Sequence, residues 1–149
     1  MSYEQGDEGG ILVAFLYSRL RANSAGWPVI PMPAGPSAAF PCIGFNFLPV
    51  PSTLDQGGNV QFATFLVNVV CIGQLAVDNL EPLRPVAKEI AAALKVNNSQ
   101  PGLTFGTGRI NSCTQNMAIA MPDRSDKGQL RWMLGAQWRV AVQPDLDAQ

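Results

Sequence analysis

Residues 130–142 read LRWMLGAQWRVAV. The even positions Leu130, Trp132, Leu134, Ala136, Trp138, Val140 and Val142 are all apolar, whereas Arg131, Met133, Gly135, Gln137 and Arg139 occupy odd ones. A period of two is the signature of a β-strand with one buried face and one wet face. At ~3.3 Å per residue this strand runs ~43 Å, well beyond the usual five or six residues. A chain that keeps such a strand builds a large sheet, one expected to extend past its own globule. That points to a structural, assembling protein.

The neighbouring segments alternate too. Across residues 109–121, Cys113, Met117, Ile119 and Met121 face one way and Ser112, Thr114 and Asn116 the other. Residues 122–128, PDRSDKG, read as the hairpin loop that feeds the last strand. Further upstream, residues 41–48 place Ile43, Phe45 and Phe47 on one face and Cys42, Gly44 and Asn46 on the other. Residues 49–59, PVPSTLDQGGN, have turn chemistry. The next strand spans 60–72, with Phe62, Leu66, Val70 and Ile72 on one side and Phe65, Val67, Val69 and Cys71 on the other. A strand apolar on both sides is covered on both sides; the second cover is either a helix or a partner chain.

Two helices accompany these strands. Leu12, Phe15, Leu16 and Leu20 recur at helical spacing behind Asp7 and Glu8, acids that suit a helix N-terminus, and Asn23 to Gly26 close the element. This predicts a helix over 8–23. The second has Pro82 and Pro85 in its first turns, a capping-box spacing of Asp78 and Glu81, and a stripe of Leu83, Ala87, Ile90, Ala91 and Leu94. Arg84, Lys88, Glu89 and Lys95 fall on its wet side. Between the first helix and the first strand, Pro28, Pro31, Pro33, Pro36 and Pro41 exclude a helix or a central strand, so 26–41 is an extended arm, lying on a neighbouring subunit or along the chain's own surface. The order α-β-β-α-β-β predicts one α+β domain over 1–149, a mostly antiparallel sheet of about four long strands with two helices packed on it, and a frayed tail over 144–149.

Composition narrows the function. Apolar residues make up 47% of the 149 and charged ones 14%, against a usual charged share of ~25%. Few ions remain to solvate a lone monomer, so burial against other subunits is expected. A net charge of −1 carries no footprint for nucleic acid. No signal peptide is expected, since residues 1–10 have no basic n-region and no apolar core, and the apolar run 65–72, interrupted by Asn68, is too short to cross a membrane. The expected setting is a cytoplasm, with Cys42, Cys71 and Cys113 as reduced, buried small hydrophobes and no zinc-binding spacing among them.

No catalytic set stands out. Without any histidine, Ser-His-Asp, Cys-His and imidazole-metal chemistry are absent. Asp55, Asp123 and Asp126 sit in turn-rich stretches where Asp is ordinary. Gly106-Thr107-Gly108 lacks the lysine of a phosphate loop and leads into a strand. Arg131 and Arg139, with Gln137 and Gln143, offer a strand face for a partner, a lumen or plain solvent. The 52–59 loop is long enough to bind a partner or to be an inert tip. No catalytic residue, cofactor or metal is expected.

The succession of parts resembles the tail-terminator (tail-completion) proteins of long-tailed bacteriophages. A short helix ends in Tyr17-Ser18-Arg19-Leu20-Arg21-Ala22, and a Pro-rich linker leads to Ala38-Ala39-Phe40-Pro41-Cys42-Ile43-Gly44-Phe45. A two-sided strand precedes the helix carrying VAKEIAAAL over 86–94, and two strands finish the chain. The resemblance covers about 8–143 and implies a structural virion protein, not an enzyme. It implies a homohexameric ring, assembled in the host cytoplasm, on the head-proximal end of the tail tube. Such a ring stops tube growth, meets a neck or head-closure protein, in contractile tails also meets the sheath, and passes genomic DNA without reading it. Long loops would then project from one ring face. The residues expected to touch tube or neck are Leu54, Asp55, Gln56, Gly57 and Gly58 together with Arg124, Ser125, Asp126 and Lys127. Arg131, Gln137 and Arg139 are the expected inter-subunit or lumen face. Two alternatives compete with this reading: another neck or tube connector such as a head-closure protein, and a small ligand-binding or enzymatic α+β domain using Tyr17, Cys113 or the acidic turns.

Overall fold

A computed structural model describes residues 7–32, 40–54, 60–73, 80–95, 103–105, 108–126 and 129–144. Helix α1 is Asp7–Leu20 and α2 is Arg84–Leu94, the latter preceded by a 3-10 turn at Glu81–Leu83. The strands are β1 Val29–Pro31, β2 Cys42–Leu54, β3 Val60–Ile72, β4 Leu103–Phe105, β5 Gly108–Asp126 and β6 Gln129–Pro144. They form one mixed sheet in the order β1-β2-β3-β6-β5-β4, in which only the short β1 pairs in parallel. The expected α+β class and two helices are present. The four long strands are joined by two three-residue strands that period-two reasoning cannot detect.

Both helices cover one face. Ile11, Leu12, Phe15, Leu16 and Leu20 from α1 and Val86, Ile90 and Leu94 from α2 are buried with Ile43, Phe45, Val67, Val69, Cys71, Trp138, Val140 and Val142 of the sheet. The helix predicted to reach residue 23 stops at Leu20. Asn23, almost fully buried, donates from Nδ2 to the Leu20 carbonyl (2.8 Å) and accepts the Trp27 N–H on Oδ1 (2.8 Å), so its side chain substitutes for helical bonding. In the next turn the Ser24 N–H and hydroxyl donate to Glu89 Oε1 and Oε2 at 2.7 and 2.6 Å, pinning α2 to the end of α1. At the start of α2 no side-chain cap is present, and Asp78 of the expected capping box lies outside the described residues.

At the Val70–Ile72 end of β3 the second cover is the chain's own arm and not a helix. Ile30, Met32 and Phe40 pack over Cys42, Val70 and Ile72 on the face away from the helices. The described ends of the Pro-rich arm therefore lie along their own sheet; residues 33–39 fall outside the described residues.

Several strand limits differ from expectation. Residues 49–54, read as turn, continue β2 opposite β3, with register shifts between Val50 and Leu54. Residues 122–126, read as loop, continue β5 as far as the Asp126–Gln129 pair. The faces of β5 also differ. Shifts at Ile110/Ser112 and Gln115/Met117 each insert one residue, and each insertion turns the alternation over. Cys113 consequently lies in the helix-side core, whereas Met117 and Met121 are exposed beside Ser112 and Thr114 on the opposite face.

At the centre of the sheet β3 and β6 approach closely. A Cβ on Gly135 would lie 2.0 Å from the Val69 carbonyl oxygen and 2.7 Å from Val70 Cα, backbone atoms with no freedom to yield. Gly135→Ala is therefore expected to destabilise the fold by about 3 kcal/mol or more, the upper range for overpacking, read as a lowered urea midpoint. A midpoint like that of the unmodified chain would contradict this packing.

The hydrogen bonds from Ser24 hold the Glu89 carboxyl below its ordinary pKa. A carboxylate depressed in the folded state contributes stability above its unfolded pKa and loses it as pH falls through the folded value. The unmodified chain should be more stable than Glu89→Gln at neutral pH, and the gap should close in acid. Thermal melts over pH 3–7 check this.

Candidate functional site

The sheet face away from the helices carries the candidate surface. Registers align Asn46 with Asn68 and Asn68 with Gln137 across β2, β3 and β6. Their amides bond in sequence: Asn68 Nδ2 donates to Asn46 Oδ1 (2.8 Å), Gln137 Nε2 to Asn68 Oδ1 (3.3 Å), and Asn116 Nδ2 of β5 to Gln137 Oε1 (2.6 Å). A second link joins Asn111 Nδ2 to Gln143 Oε1 at 3.0 Å. This polar row divides the face. On one side the arm covers Val70 and Ile72; on the other, Leu48 pairs with Leu66 in the open, and Leu48 is 55% exposed.

Each expected site residue has a definite place or lies outside the described residues. Arg131, read as part of a wet face, is half-buried. Its guanidinium stacks 3.7 Å from the Phe40 ring centroid and donates to the Gly73 carbonyl (3.4 Å), so it clasps the arm to the sheet. Gln137 belongs to the amide row. Arg139 is exposed beside Thr114, its register partner. Leu54 ends β2 opposite Val60; Arg124, Ser125 and Asp126 end β5. Asp55, Gln56, Gly57, Gly58 and Lys127 lie outside the described residues.

The two expected contact loops do not share a face. The β2–β3 connection lies at the sheet end where Ala63 pairs with Val142 and Gly108 with Pro144. The β5–β6 connection lies at the other end, past the Ile72–Met133 pair.

The long sides of the sheet differ chemically. On β2, the Ile43 N–H donates to Pro28 and the Phe45 carbonyl accepts from Met32, so odd residues point away from β3. With register unbroken to Val50, Pro49 presents that side with no N–H to offer. On the opposite side β4 pairs only with Gly108–Ile110 of β5, and no described strand lies beyond it. Residues 111–121 of β5, NSCTQNMAIAM, contain neither a proline nor a charge. They lack the Lys and Pro that usually guard an edge.

Between α2 and this edge runs a groove of about 650 Å³, floored by Val69, Leu134, Ala136 and Trp138 and rimmed by Lys88 and Gln115. Arg84 also borders it, paired with Glu81 at 2.8 Å.

The residues proposed for catalysis or ligand binding are engaged in packing. Tyr17 packs edge-on against Phe45 (5.4 Å) beneath the Arg21 guanidinium (4.2 Å). Burial pushes the Cys113 thiol up to about 12, Cys71 to about 12 and Cys42 to about 11, which leaves little thiolate at neutral pH. Among the described residues no group of His, Cys, Asp and Glu is placed to hold a metal, and no helix is long and apolar enough to cross a membrane.

Solved structures share this architecture. A chain of the virion of a native gene transfer agent particle has a TM-score of 0.65 at 20% identity, covering 93% of this chain and 99% of its own length. The fold resembles one built into a virion. A second solved chain has a TM-score of 0.55 at 16% identity, covering 91% of this chain and 95% of its own. No protein-family model matches, and no curated protein matches in sequence.

The amide row has one signal in the sequence, Asn68, the polar interruption of the 65–72 run; the open edge has none, because it depends on where β4 stops. Gln137→Ala removes two hydrogen bonds and should cost about 1–3 kcal/mol, at a net value of about 0.5–1.5 kcal/mol each, whereas Arg139→Ala should stay within about 0.5 kcal/mol, as for a surface residue. Urea titration separates the two; a large loss from Arg139→Ala would make that residue a structural one.

Proposed function

We propose that this chain is a structural virion protein of the tail-terminator kind. It forms a closed ring on the head-proximal end of a tail tube, stops tube growth and presents its other end to a neck or head-closure protein. The likeness to nearly the whole of a gene transfer agent virion chain carries this reading. The arrangement of the sheet supports it. Loops at opposite ends supply two axial contacts, so the β2–β3 loop with Asp55, Gln56, Gly57 and Gly58 meets one partner, and the β5–β6 tip with Arg124, Ser125, Asp126 and Lys127 meets the other. An open edge on one side and a proline-guarded edge on the other oppose endless sheet growth, the property a terminating element needs.

The test is assembly and capping. The purified chain should give one discrete closed-ring mass in native mass spectrometry, an annulus in negative stain, and arrest of a growing tube. Deleting residues 55–58, which leaves Leu54 and its strand pairing intact, should abolish arrest at one end while the ring persists. A solitary monomer at high concentration, or spontaneous growth into tubes, would contradict the proposal.

A further inference from the structure

The edge of β5 and the groove beneath α2 adjoin. Gln115 belongs to both, and Ala118 and Ala120 beyond it are exposed on the helix side. A strand laid beside residues 111–121 would pair the main-chain groups of the edge that no described strand pairs. It would also point every second side chain over the groove, with main-chain bonds giving affinity and the pocket giving selectivity. The groove floor is apolar and its rim holds Lys88, which has no ion pair among the described residues. On the opposite face the cations beside this edge are Arg139, exposed behind the small Thr114, and Arg109, exposed on β5 itself. The site therefore suits an extended segment with a large apolar side chain on one face and acids on the other.

The chain contains such a segment. Residues 145–149 read DLDAQ, placing Leu146 between Asp145 and Asp147. Among the stretches outside the described residues, this one alone has two acids. It cannot serve its own groove. Leu146 lies ~7 Å of extended chain past Pro144, whereas Trp138, the nearest groove residue on β6, lies ~20 Å before it at ~3.3 Å per residue.

We propose that residues 145–149 of a second copy of this chain add as a strand to the 111–121 edge, with Leu146 in the groove over Leu134 and Trp138 and with Asp145 and Asp147 facing Arg139. This rests on the ring-forming reading and specifies its joint. Each copy gives a segment and receives one, a head-to-tail contact that closes when the rotation fits.

Native mass spectrometry of the full chain tests it. Leu146→Asp and Arg139→Glu should each raise the monomer fraction about tenfold or more, equivalent to at least ~1.4 kcal/mol of lost association. Arg139→Glu combined with Asp145→Arg and Asp147→Arg should restore assembly. Copies carrying Gln115→Cys, mixed with copies carrying Leu146→Cys and oxidised, should yield a disulfide-linked pair, since the native thiols are buried. A ring unaffected by Leu146→Asp, no restoration by the charge exchange, or no linked pair would overturn this joint while leaving the ring-forming reading intact. A monomeric unmodified chain would overturn both.

Discussion

The contact between β3 and β6 makes one sheet out of two hairpins. The β2–β3 hairpin and the β5–β6 hairpin meet only along this seam, whose partners, from Ala63–Val142 to Ile72–Met133, are far apart in the chain. The closeness of the seam depends on Gly135, since any side chain there would enter the backbone of β3. On the helix side the seam is sealed by Val67, Val69, Ala136, Trp138 and Val140, all buried. On the other side it is crossed by the Asn68–Gln137 bond. Loss of the seam would separate the hairpins and leave both helices without a common floor.

What the sequence reveals follows from which patterns survive folding. The period of two holds through β6 and through β3 from Phe62 onward, so their core faces can be read directly, although β6 runs on to Pro144, expected in the frayed tail. In β5 the same reasoning fails after Ile110, because two bulges invert the alternation and carry Met117 and Met121 away from the face of Cys113. Pro49, Pro51 and Pro122 suggest turns, yet a strand edge tolerates proline wherever no N–H is required, and β2 continues through the first two. Arg131 occupies a wet-face position by period and is nonetheless half-buried, because Phe40 of the arm folds onto it from a distant part of the chain. The candidate surface is less legible still. The edge of β5 and the groove beside it exist only because β4 is short and α2 lies to one side, and both are properties of topology.

The surface that results is directional. One long side of the sheet has lost main-chain donors to proline, and the other offers an uncharged run with exposed methionines. The connecting loops divide between the two ends, and the low charge of the chain places little repulsion between copies. Among the described residues, one long side of the sheet is left unpaired beyond Ile110 and the other is guarded by proline. These features suit a subunit that stops an assembly better than one that extends it.

Hydrogen–deuterium exchange, compared between the chain diluted to monomer and the chain at assembling concentration, tests the central claim most directly. The account places the amides of residues 111–121 that face away from β6 among the fast exchangers in the monomer, and slows them markedly on assembly while Phe47 on the β2 side stays unchanged. Equal exchange across 111–121 in both states would show that this edge is not where the copies join.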